Sequence, residues 1–193
     1  MIGLVENSGN GGIGRCQLKI DLCNSRPLIW RRVVVSAKIS FARLHKVIQF
    51  AMGWEDCHLH QFAAGDVEYG PANAELGLKV LDERRYKLAD IGLTPGSGFF
   101  YQYDFGDNWE HNIRIERVLP PDSSLKHSIC VAGENACPPE DCGGIHAYYE
   151  LLGALTNPQH EEHESVKTWI GGSWNAGRFD LDRANNLLKR LKV

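Results

Sequence analysis

The stretch Phe99 to Val118, FFYQYDFGDNWEHNIRIERV, alternates on either side of a polar centre. Phe99, Tyr101, Tyr103 and Phe105 fall on one face of a first strand, and Trp109, His111, Ile113 and Ile115 on one face of the next. Gly106-Asp107-Asn108 supplies turn chemistry between them, so residues 98–118 read as a β-hairpin. Pro120-Pro121 stops it.

Working outward, Arg15 to Asn24 alternates with Cys16, Leu18, Ile20 and Leu22 on one face, and Ile29 to Val35 follows the Arg26-Pro27 turn as a second strand. Ser40 offers an N-cap to a helix with the apolar stripe Phe41, Leu44, Val47, Ile48 and Met52, which Gly53 ends. Short strands are expected at Cys57 to Ala64 and Val67 to Tyr69, with a further one at Leu78 to Leu81. After a cysteine-bearing loop, helices are expected near 144–156, 160–170 and 181–191, the last capped by Asp180. Strands come early and helices gather in the C-terminal third. The pattern predicts an α+β fold with an antiparallel or mixed sheet and packed helices, forming one domain over residues 15–193. Residues 1–14, rich in glycine, read as a flexible lead-in.

Two kinase-like coincidences do not hold together. Asp104-Phe105-Gly106 spells a magnesium-binding triplet, and Gly9 to Gly14 matches G-x-G-x-x-G. A kinase also needs a catalytic loop of the H-R-D-x-x-x-x-N type before that triplet, and none lies between Lys38 and Asp104. The glycine run follows no strand, so it is not a phosphate cradle either.

At 193 residues and 43% hydrophobic, the chain is large enough to bury a substantial core. It begins with neither a basic nor an apolar leader segment, and no apolar run reaches membrane-spanning length, so the expectation is a cytoplasmic protein without a membrane partner. There the six cysteines read as thiols or metal ligands. The net charge of −3 is unevenly spread: residues 52–70, 99–113 and 127–166 contain no lysine or arginine but hold seven of the eight histidines and more than half of the 24 acids. If these windows converge, they make an acidic, imidazole-rich face that attracts cations and repels a phosphate backbone. Otherwise they are solvated acids near loops.

His58 and His60 fall two apart in an expected strand and so share a side, where they either chelate a metal or cover a sheet face. His111 lies on an apolar face, as a hydrogen-bonded core residue or as a ligand or general base. Asp107 suits acceptance of turn amides; Asp104, opposite the apolar face, is either exposed or part of a polar cluster. Glu140 and Asp141 follow Pro138-Pro139 on a stiff turn, where they either join a site or cap the next helix. Cys130, Cys137 and Cys142 lack the paired spacing of a zinc knuckle, and no nucleophilic triad stands out.

Three motifs together, AMGWEDCHLHQF (51–62), YQYDFGDNWEHNIRIERV (101–118) and ACPPEDCGGIHAYYELL (136–152), resemble the root-inducing-plasmid ORF-three-like family. The resemblance runs from about Arg15 to the last helix. It departs near 145–148, where the family pattern has a glycine before the tyrosine and this chain has His146-Ala147-Tyr148. What it implies is a compact α+β fold and no particular reaction, with His58, His60, Asp104, Asp107, Trp109, His111, Cys137, Glu140 and Asp141 as its motif positions. Some members carry transposon-passenger or resolvase-like labels, which would associate the chain with mobile elements. These motifs contain no catalytic arginine cluster, however, and nucleic acid is not expected at this face.

The leading expectation is an accessory or binding domain with a protein partner. The alternative is a metal-dependent hydrolase or nuclease-like enzyme. There His58 and His60, with Asp104 or Asp141, would hold zinc, manganese or iron, and His111 or Glu140 would move protons.

Overall fold

The structure is a computed structural model that describes residues 14–72, 80–121 and 126–191. The glycine-rich lead-in before Gly14 and the first half of the strand expected at Leu78 to Leu81 lie outside the described residues. Alternating apolar residues build eight strands: β1 (Arg15–Leu22), β2 (Trp30–Ser36), β3 (His60–Ala64), β4 (Val67–Gly70), β5 (Leu81–Asp82), β6 (Gly98–Tyr103), β7 (Trp109–Leu119) and β8 (Ile129–Glu134). They form one mixed sheet in the order β5-β4-β3-β6-β7-β1-β2-β8, antiparallel throughout except where β5 runs parallel to β4. Four helices accompany it: α1 (Phe41–Met52), α2 (Gly144–Thr156), α3 (His163–Trp169) and α4 (Leu181–Leu188).

The expected alternation decides which face is dry. Cys16, Leu18, Ile20 and Leu22 of β1 are buried with Phe99, Tyr101 and Tyr103 of β6 and Trp109, His111, Ile113 and Ile115 of β7. The other face is wet, as antiparallel sheets permit. Across it Gln17 Nε2 donates to Glu116 Oε2 at 2.8 Å, and Arg32 Nη2 donates to Glu116 Oε1 at 2.8 Å.

α1 closes the dry face with Phe41, Leu44, Val47 and Ile48, and α4 packs beside it. Ser40 Oγ accepts the amide of Arg43 at 3.3 Å, and Gly53, at φ 100°, ends the helix by donating to Gln49 O at 2.8 Å. Asp180 caps α4 through Arg183 N at 2.9 Å.

Four local expectations change. Phe105 is 40% exposed, because β6 ends at Tyr103 and the face alternation ends with it. α3 starts at His163 and α4 ends at Leu188, both shorter than the apolar spacing implied. β8 occupies part of the segment read as a cysteine-bearing loop. Its run Cys130-Val131-Ala132-Gly133 alternates too weakly to announce a strand, but it pairs with β2, and Asn185 of α4 holds both backbone groups of Cys130 at 2.9 Å. The outer side of this edge strand is thereby engaged by a side chain.

Candidate metal centre

Tyr103, the last residue of β6, points inward, and the chain then turns at Asp104 with φ 54°. Asp104 Oδ1 accepts from Gly106 N at 2.9 Å and Asp107 N at 3.3 Å, while the carbonyl of Asp104 accepts from Asn108 N at 2.6 Å. The residue that organises the turn is therefore Asp104, where the sequence pointed to Asp107. The Asp107 carboxylate accepts instead from Gly143 N at 3.0 Å and ties the turn to the start of α2. Asp104 is 7% exposed, and its Oδ2 lies 3.6 Å from His58 Nε2.

His58 reaches this place because it is not in a strand. After α1 the chain is pinned by Trp54 Nε1 donating to Pro138 O at 3.0 Å, bends at Asp56 with φ 63°, and enters β3 only at His60. The two imidazoles consequently part. His60 turns into the core, where its ring stacks on His45 with centroids 3.4 Å apart and its Nε2 meets Glu83 Oε2 at 2.7 Å. His45 in turn bonds Tyr101 OH through Nδ1 at 2.8 Å and Asp56 through Nε2. Burial, followed by the charges of His60 and Lys46, pushes the His45 pKa down to about 2, so it stays neutral.

The Pro138-Pro139 turn delivers the remaining acids. Glu140 Oε1 accepts from Glu55 N at 2.7 Å and from Tyr103 OH at 3.0 Å, and its Oε2 lies 3.6 Å from His58 Nε2. Burial, with the Glu140 charge adding to it, raises the Tyr103 pKa, which keeps the phenol a donor. Asp141, at φ 57°, places Oδ1 3.0 Å from His58 Nε2. Neither acid caps α2, whose N-cap is Gly143 and carries no side-chain cap.

Ligand atoms of His58, Asp104 and Asp141 thus lie within 4.8 Å of one another, with Glu140 alongside. His58 Nε2 is closed to solvent. Asp141 is near enough for an ion pair, yet among the described residues the nitrogen has no hydrogen-bond partner. One imidazole nitrogen among carboxylate oxygens is a donor set for zinc, manganese or iron. The Asp141 side chain is 71% exposed, which leaves one side of the cluster open.

The other motif residues serve the interior. His111 is 0% exposed, and burial pushes its pKa down to about 3. Trp109 and Cys137 are buried in the core cluster, and burial raises the Cys137 thiol pKa. All six cysteines are free thiols, and none joins the candidate ligand group among the described residues. A hollow of about 230 Å³ between the β6–β7 turn and α2, lined by Asp107, Trp109 and Gly144, holds none of the four cluster residues.

Sequence reading missed Tyr103 as the anchor of Glu140, and Glu83 as the partner of His60. His45 was findable, since it falls four residues after Phe41 and three before Ile48 on the apolar stripe of α1. Glu83 sits in an irregular segment without periodicity and gave no signal.

A family model described as plasmid pRiA4b ORF-3-like protein matches residues 15–183. The chain is 41% identical over 158 residues to uncharacterized protein y4hQ of Sinorhizobium fredii (strain NBRC 101917 / NGR234), a match spanning 81% of each chain. It also resembles the crystal structure of the protein of unknown function MM3350 from Methanosarcina mazei Go1. That likeness has a TM-score of 0.79 and 35% identity, over 87% of this chain and 96% of that one. The α+β architecture is therefore shared with a solved structure. By its three motifs, its sheet and the extent of the match, the chain belongs to the plasmid pRiA4b ORF-3-like family.

Proposed function

We propose that the protein is a divalent-cation-binding domain in which His58, Asp104 and Asp141 are the ligands and Glu140 is an adjacent, fixed carboxylate. The observation that carries this reading is His58 Nε2: it is shut off from water, unpartnered, and faced by three carboxylates at 3.0–3.6 Å. A buried polar nitrogen in that setting calls for a proton or a cation to satisfy it. Elemental analysis of untagged protein, purified without chelator, tests it. Near-stoichiometric zinc, manganese or iron is expected in the wild type and in His60→Gln, and none in His58→Ala. A wild type that carries no metal and gains no thermal stability from added divalent ions would sink the reading.

Metal-dependent hydrolysis is the second reading, favoured by the exposure of Asp141. A bound divalent ion would supply Lewis acidity there. Glu140, oriented by Tyr103 and the Glu55 amide, would accept a proton, since His111 is sealed in the core. Glu140→Gln is expected to keep the metal while abolishing turnover of phosphate- or carboxylate-ester substrates. If metal-loaded wild type turns over neither class, binding alone is the better account.

A further inference from the structure

α2 and α3 pack against each other and leave between them a cleft of about 330 Å³. Leu151, Val166 and Trp169 give it an apolar lining, and Trp169 is 52% exposed. Asp141, Glu150 and Glu162 add three carboxylates. Among the described residues no lysine or arginine pairs with Glu150 or Glu162, and the sequence from 127 to 166 contains neither cation. The nearby Lys167 is taken up by Glu164 at 3.8 Å. The cleft thus combines negative charge that no lysine or arginine offsets, at Glu150 and Glu162, with an exposed indole and an aliphatic strip.

We propose that this cleft docks a basic segment of a partner protein. Lysine and arginine side chains carry a long apolar stem below a charged head. The stem would lie on Leu151 and Val166, and the head between the carboxylates and the face of Trp169, where a cation is attracted to an indole ring. A tethered segment fits better than a free amine. The cleft is open to water along the acids, so an isolated small cation would gain little burial, whereas a segment brings neighbouring contacts with it. The proposal shares only Asp141 with the metal centre and does not rest on it.

The test is calorimetric titration of the full chain in EDTA, at about 150 mM salt so that diffuse attraction is screened. The probes are an eight-residue peptide alternating arginine and leucine, the same peptide with glutamate for arginine, and spermidine. Micromolar binding of the basic peptide is expected, and none of the acidic one. Glu150→Gln combined with Glu162→Gln should weaken it about tenfold and Trp169→Ala about fivefold, while Glu68→Gln on the distant β4 changes it less than about twofold. The replaced cleft side chains are exposed, so the variants should fold as the wild type does.

Absent binding overturns the proposal, as does equal weakening by the cleft variants and Glu68→Gln, which would mean net charge alone. Displacement of the peptide by an equal concentration of spermidine overturns the protein partner in favour of a free polyamine. A wild type that binds peptide but takes no metal fails the metal reading only, and one that takes metal but no peptide fails this one only.

Discussion

Asp104 adopts a left-handed backbone at φ 54°, and its two oxygens face different ways, Oδ1 towards the amides of Gly106 and Asp107 and Oδ2 towards His58. Asparagine tolerates that backbone and keeps one acceptor for the turn. Asp104→Asn is therefore expected to lose metal affinity with a stability change under about 1 kcal/mol, and Asp104→Ala to lose the metal and about 1–3 kcal/mol. Urea unfolding beside metal titration separates the two effects. His111 gives a pH prediction. Its folded pKa of about 3 lies below the ordinary 6.5, so the unfolded chain binds the extra proton and stability falls as pH drops below about 6.5. Between pH 7 and pH 5 this one residue should remove about 2 kcal/mol. His111→Gln should flatten the urea-midpoint profile by that amount, and an unchanged slope would show that His111 does not titrate on unfolding. At this scale the sequence was half legible. Asp104 and His58 stood out by type, but a carboxylate's direction depends on a turn geometry that no spacing encodes.

Elements bring the cluster together through their ends rather than their middles: the residue that follows β6, the link between α1 and β3, and the turn before α2. Regular periods were read well, which is why α1, α2 and the β6–β7 hairpin were predicted closely. Irregular links carry no period, so the departure of His58 from the strand and the position of Glu83 stayed hidden. Gly144, the first residue of α2, has a measurable role. At φ 82°, a Cβ there would stand 2.6 Å from the carbonyl oxygen of Asp107. Gly144→Ala should cost about 2 kcal/mol or more and loosen the seam between turn and helix. Ser40→Ala removes only the N-cap of α1 and should cost about 1 kcal/mol. Thermal unfolding ranks the two; a larger loss at Ser40 would show that the seam yields without strain.

Across the whole molecule, the dry face of one eight-stranded sheet carries α1 and α4, and the candidate metal cluster lies at the β6–β7 turn. The fold class was legible because strands precede helices, and the face alternation told which side would be dry. Strand order was not, since β1 joins β7 across nearly half of the chain and nothing local records that pairing. Amide hydrogen exchange should be slowest in β1 and β7, which are flanked on both sides and packed below, and fastest in the two-residue β5. Equal protection at β5 would show a stiffer edge than its length implies. The central position of β1 also matters while the chain is still leaving the ribosome. β2 emerges next and covers one flank, but the other stays bare until Trp109 to Leu119 has been synthesised. A nascent chain that stops short of Trp109 presents a row of unpaired amides and carbonyls beside a half-formed apolar face. Neighbouring nascent chains on one messenger can pair through that row, so slow translation ahead of Trp109 lengthens the interval in which holdase chaperones must shield it.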